Sequence, residues 1–164
     1  MGAGYHGGFG NTYGKKLSEN KESTTNNSDR VNYLSRNELL RKLKGITTES
    51  TIVADKIGSK MISLNILGDD LFDFYVTPDR KVVGRHENGK IYIRRSSADL
   101  VSSVLHEGIH AMDYFNGIKY DPIKSELKSY RAEHFFQKSS GRKAEFKSDE
   151  EIIVHVYKNY GRKK

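Results

Sequence analysis

The hydrophobic rhythm of this chain changes from none, to helical, to alternating, and back to helical. Residues 1–30 have no rhythm. Gly2, Gly4, Gly7, Gly8, Gly10 and Gly14 crowd the start, and Lys15 to Arg30 is rich in Ser, Thr, Asn and Lys with almost no apolar side chain. Such a segment buries too little apolar surface to offset the entropy of ordering it, so it predicts a flexible leader or linker ahead of one domain over residues 31–164. From Asn32 to Lys44, Leu34, Leu39, Leu40 and Leu43 predict a short helix, capped by Ser35 or Asn37 and stopped by Gly45. Ser50 to Lys60 fits either a short helix or a mixture of loop and strand.

Alternation then takes over. Met61 to Leu67 and Leu71 to Val76 alternate around Gly68-Asp69-Asp70 and predict a hairpin. Lys81 to His86 and Lys90 to Arg95 flank Glu87-Asn88-Gly89, and Asn-Gly between alternating runs is the strongest short-range hairpin signal. The expectation is a small antiparallel sheet of about four strands. Helical spacing returns with Leu100, Val101, Val104, Leu105, Gly108, Ala111, Met112 and Phe115 on one side, between the cap Ser96-Ser97-Ala98-Asp99 and the stop Asn116-Gly117. A second helix is predicted from Ile123 to Lys138, and a third from Ser148-Asp149-Glu150-Glu151 to Tyr160-Gly161. The fold class is therefore α+β, a small antiparallel sheet followed by a central helix and two further helices.

The other side of the central helix carries the chemistry. His106, His110 and Asp113 project there with Asp99, Ser102 and Ser103, and His106-Glu107-Gly108-Ile109-His110 is one copy of His-Glu-x-x-His. Residues four apart share a helix face, so His106 and His110 can hold one metal ion; zinc suits two imidazoles, and Glu107 is placed to act on a metal-bound water. The bland reading is a surface helix with two solvated histidines. A catalytic zinc takes three protein ligands and keeps one position open. A third histidine six residues on is ruled out, because position 116 is Asn116. Glu126 and Glu133, seven apart on the next helix, share a face. Glu126 is assigned as third ligand, with Glu133 as partner of the ligands or alternative ligand. Asp113 can orient His110 or its helix. Tyr130, His134, His155 and Tyr157 are unranked candidates for oxyanion help, and His6 is set aside as a leader histidine.

Composition narrows the choices. Cysteine is absent, so neither a disulfide framework nor a thiolate metal site is available. No apolar run reaches membrane-spanning length, and no signal-peptide hydrophobic region follows Met1. The net charge is +7, yet basic and acidic residues are matched at nine each in 51–120, so the excess lies at the two ends. The motif region therefore lacks the basic surroundings that phosphodiester chemistry would need, and a solubilising charge is favoured over nucleic acid as partner. Against a zinc hydrolase stands a reading from another class, a basic non-catalytic binding module with a structural or vestigial histidine pair.

The motif helix followed by Glu126-Leu127-Lys128-Ser129-Tyr130-Arg131-Ala132-Glu133 resembles the zincin metallopeptidases whose third ligand is a glutamate. The run His106 to Tyr114 is similar to the His-Glu-x-x-His-Ala-x-Asp stretch of lethal-factor-type toxin proteases. That resemblance implies a zincin-like fold, a zinc cofactor held by His106, His110 and Glu126, Glu107 as base, and a protein substrate cut at a peptide bond. The gap from motif to third ligand is short here, so Glu126 and Glu133 both stay open as the third ligand. Lys90 to Arg95 would then offer an edge for an extended peptide. Tyr5 to Lys16 resembles the junction before C-terminal toxin domains of bacterial polymorphic toxins, which implies a secreted or delivered effector, cut from a larger precursor and blocked by a cognate immunity protein.

Overall fold

The computed structural model describes residues 34–161. The leader expected over residues 1–30, with Tyr5 to Lys16 and His6, lies outside them. The architecture is α+β, with six helices and a three-stranded mixed sheet among the described residues. Helix α1 (Arg36–Leu43) starts at Ser35, whose hydroxyl accepts from the Glu38 amide while the Glu38 carboxylate accepts from the Ser35 amide. The ambiguous stretch that follows is helical. Thr47 and Ser50 form a reciprocal cap for α2 (Thr48–Gly58), and Val53, Ala54 and Ile57 enter the core.

Strand β1 (Ser63–Leu67) follows, and then two expectations give way. Leu71 to Val76 is not a strand: Asp69–Tyr75 forms helix α3. A helical turn puts Asp69 and Asp73 on one side, where both bind the Arg94 guanidinium at 3.2 and 2.7 Å, and it buries Phe72 beneath that guanidinium. An extended strand would place these carboxylates too far apart to share one cation. The sheet is consequently not a four-stranded antiparallel one. Its order is β1-β3-β2, with β1 parallel to β3 (Lys90–Arg94) and β2 (Gly84–Glu87) antiparallel to β3. The hairpin at Asn88-Gly89 is present, and both residues have positive φ, 50° and 86°, as its tight turn demands. β3 is thus the central strand, paired on both sides, and the free edge it was expected to offer belongs to β2 and β1.

Helix α4 (Leu100–Phe115) crosses the sheet's inner face, capped by Asp99 and ended at Asn116 and Gly117. Val104, Leu105 and Ala111 pack with Leu39, Val53, Ile91 and Ile93 in the main core. Gly108 lets α2 come close: a Cβ there would sit 2.5 Å from Val53 Cγ1. Helix α5 (Pro122–Ser139) covers the opposite side of α4, and α6 (Asp149–Tyr160) packs on α5 around Tyr130, Ile152 and Val156. No helix among the described residues is long and apolar enough to cross a membrane.

Candidate metal centre

The polar side of α4 faces protein, not solvent. His106, Glu107, His110, Ser102 and Ser103 are all buried, and α5 answers them with buried Ser125, Glu126, Ser129 and Glu133. Burying such groups is costly unless each finds a partner, so the partners define what the cluster is. The Ser129 hydroxyl donates to the His106 carbonyl at 3.1 Å, which fixes the register of the two helices at the motif. Asp113 binds Lys128 and so ties α4 to α5; its partner is on the neighbouring helix, outside the group formed by the two histidines and Glu126.

Three side chains converge. Glu126 Oε1 lies 3.1 Å from His106 Nε2, and Glu126 Oε2 lies 3.1 Å from His110 Nε2. One ligand atom from each of His106, His110 and Glu126 can be chosen so that all lie within 4.8 Å of one another, a group that could hold a metal ion. Glu133, the alternative ligand, sits behind: its Oε1 accepts from His106 Nδ1 at 3.0 Å. That bond commits the Nδ1 proton and turns the Nε2 lone pair toward the Glu126 carboxylate. Two electron-rich atoms 3.1 Å apart need a positive charge between or upon them, either a proton or a metal ion.

The electrostatics express the same demand. Burial works to lower the His106 pKa, but Glu126 and Glu133 outweigh it and hold it well above the ordinary histidine value. Burial likewise works to raise the Glu126 carboxyl, yet His110 and His106 keep it well below the usual carboxylate range. His110 Nε2, although close to Glu126 Oε2, is not aligned for a hydrogen bond and is a buried ring nitrogen with no hydrogen-bond partner. Two imidazoles and one carboxylate, with one ring nitrogen outside any hydrogen bond, are a donor set that could hold a metal ion.

Glu107 lies on the strand side of the helix. Its carboxylate presses on Gly84 at the start of β2, where a Cβ would come within 2.9 Å of both Cγ and Oε2. Any larger residue at 84 would displace that carboxylate. Gly84 was not singled out in the sequence, and no local pattern marks it.

Two more residues join the site. The Tyr120 hydroxyl donates to Glu126 Oε2 at 2.7 Å, and its ring meets His110 edge-on with centroids 5.7 Å apart. Burial, reinforced by Glu126, pushes the phenol well above its ordinary value, so it remains a donor. His86 faces inward from β2 and lines a cavity of about 240 Å³ together with His110, Tyr114, Lys119 and Tyr120. The expected oxyanion candidates fare differently. Tyr130 is packed behind His106, ring centroids 4.5 Å apart, and its hydroxyl lies 3.2 Å from His155 Nε2 on α6. Tyr157 is exposed, and His134 is half-buried.

No family model matches the chain, and no curated protein or solved structure shows significant similarity to it.

Proposed function

We propose that the protein is a zinc-dependent endopeptidase of zincin-like design, the effector or toxin part of a delivered protein. The observation that carries this reading is the convergence of His106, His110 and Glu126 around one point, with Glu107 beside it against the edge strand. His106, His110 and Glu126 would hold the metal, Glu133 would fix the His106 tautomer through Nδ1, and Tyr120 would hold Glu126 Oε2 in place. Bound there, zinc supplies Lewis acidity, polarising a carbonyl oxygen and lowering the pKa of a water.

The chain's own residues do the rest. Glu107 takes a proton from the attacking water as the bond to the carbonyl carbon forms, and returns it to the amine as the peptide bond breaks. Because β3 is paired on both sides, an extended peptide would lie along β2, whose first residue, Gly84, touches Glu107. The toxin role, the protein substrate and a cognate immunity protein rest on sequence resemblance alone.

The test is a search for new protein termini after expressing the wild type and Glu107→Gln in the same cells. The glutamine variant should lose activity by about 10²–10⁴-fold while keeping its zinc. Equal sets of new termini, or equal toxicity, from the two proteins would refute hydrolysis by this site.

A further inference from the structure

The metal centre is sealed. His106, Glu107 and Glu126 are 0% exposed, and both Glu107 carboxylate oxygens and His110 Nε2 are buried. A hydrolytic site has to admit an ion, a water and a peptide, so some part of this cover has to move. Most of the cover is firmly built. Gly84 belongs to a strand paired with β3, and Ser129 lies inside α5, bonded to the His106 carbonyl.

The connection from α4 to α5 is built differently. Its ends are anchored: the Ile118 amide donates to the Asp113 carbonyl at 2.9 Å, and the Asp121 carboxylate accepts from the Ile123 and Lys124 amides. Between them, the backbone of Lys119 and Tyr120 makes no hydrogen bond among the described residues. Gly117, just upstream, has φ 75°, and a Cβ there would meet nothing within 4 Å, so the turn is not packed in place. Ile118 is half-exposed and Lys119 exposed. One side chain ties this stretch to the metal centre. The Tyr120 ring meets His110 edge-on, and its hydroxyl donates to Glu126 Oε2 at 2.7 Å. Tyr120 also lines the cavity beside His110, so it stands between open space and the carboxylate. Stretches with few backbone hydrogen bonds and little packing are the first of a fold to open.

We infer that residues 118–120 form a strap, latched shut by the Tyr120 hydroxyl on Glu126, that has to lift before a metal ion or a peptide reaches His106 and His110. Lifting breaks one charge-assisted hydrogen bond and one ring contact, and it joins the cavity to the carboxylate that Tyr120 covers. The oxygen that Tyr120 holds is also the one 3.1 Å from His110 Nε2, so the latch sits on the ion's own ligand. The inference rests on the reading of His106, His110 and Glu126 as a metal site and concerns how that site is entered.

The first test times zinc in the full chain. Stopped-flow uptake of zinc, and its release to an excess of chelator, are compared for the wild type and Tyr120→Phe, which keeps the ring and removes the latch. Entry and release should both quicken by about tenfold or more, with the equilibrium affinity changed by less than either rate. Unchanged rates would overturn the strap. Faster release at unchanged entry would also overturn it, because Tyr120 would then only position Glu126.

The second test needs no metal. Diethyl pyrocarbonate acylates the imidazoles it can touch, and peptide mass spectrometry reads each histidine separately. In metal-free protein, His110 should react faster in Tyr120→Phe by about tenfold or more, with His134 and His155 unchanged. An equal His110 rate in the two proteins rejects the inference, and so does a rise shared by His134 and His155, which would mean general loosening. A chain that takes up no zinc would sink the metal reading, while the acylation rates would still judge the strap.

Discussion

Arg94 and His106 each stand at the centre of a buried charged cluster, and the two clusters are finished in different ways. Around Arg94 every donor of the guanidinium is engaged, and the Asp69 oxygen that takes no hydrogen bond faces Arg80 at 3.7 Å. The Arg94 guanidinium donates to Asp69, Asp73 and the carbonyls of Val82, Thr77 and Asp79, and it lies 4.3 Å over the Phe72 ring. That cluster stitches α3 and the 76–83 loop to the end of β3. Around His106 the pairing is incomplete in a directed way: His110 Nε2 is unaligned, and His110 borders an open cavity. Saturated charge holds a fold together, whereas charge left short of partners beside a cavity marks where a ligand is expected.

Breaking the saturated cluster should have the larger effect on stability. Arg94→Met leaves Asp69, Asp73 and several carbonyls facing an apolar side chain, with Arg80 and the Ser96 hydroxyl to compensate. A loss of about 3–5 kcal/mol in denaturant unfolding is expected, with zinc affinity of the folded fraction unchanged. Equal losses of stability and of metal binding would mean the two clusters are not independent.

Weakening the histidine cluster from behind should do the opposite. Glu133→Gln keeps an acceptor near His106 Nδ1 but removes its charge, so zinc affinity should fall by about 10–100-fold at nearly unchanged metal-free stability. A titration with a competing chelator reads this directly, and affinity equal to wild type would remove Glu133 from the site.

The smallest effect concerns Glu145, which flanks the cluster next to Glu133. Burial, aided by Glu133, pushes its carboxyl up to about 9, whereas the unfolded chain releases that proton near 4.5. Between these values the folded state binds more protons than the unfolded one, so this group's contribution to stability is full below 4.5 and lost as pH rises toward 9. Glu145→Gln should therefore flatten the decline of unfolding free energy over that window. An identical slope in the variant would contradict the protonated state.

Much of this was legible because it is local. Ser35 and Ser148 sit as caps, Asn88-Gly89 turns a hairpin, and His106 and His110 share a face because a helix repeats every 3.6 residues. Glu126, taken from spacing alone, lies between the two histidines, with Glu133 behind them. What the sequence hid depends on partners far along the chain. Leu71 to Val76 has enough apolar residues to pass for a strand; what makes it helical is Arg94, more than twenty residues later, gripping two aspartates one turn apart. The parallel pairing of β1 with β3 and the contact of Gly84 with Glu107 are long-range in the same sense. Tyr120 was closer to view, six residues before Glu126 in the loop that returns the chain to the site.

If His106, His110 and Glu126 form one metal site, the zinc content of the purified chain beside that of Glu126→Gln shows it. The wild type should hold a single zinc ion tightly per chain, with affinity falling sharply in the variant while its helical content is kept. A wild type that takes up no zinc, or a variant that binds it just as well, would mean that these three side chains do not hold a metal together.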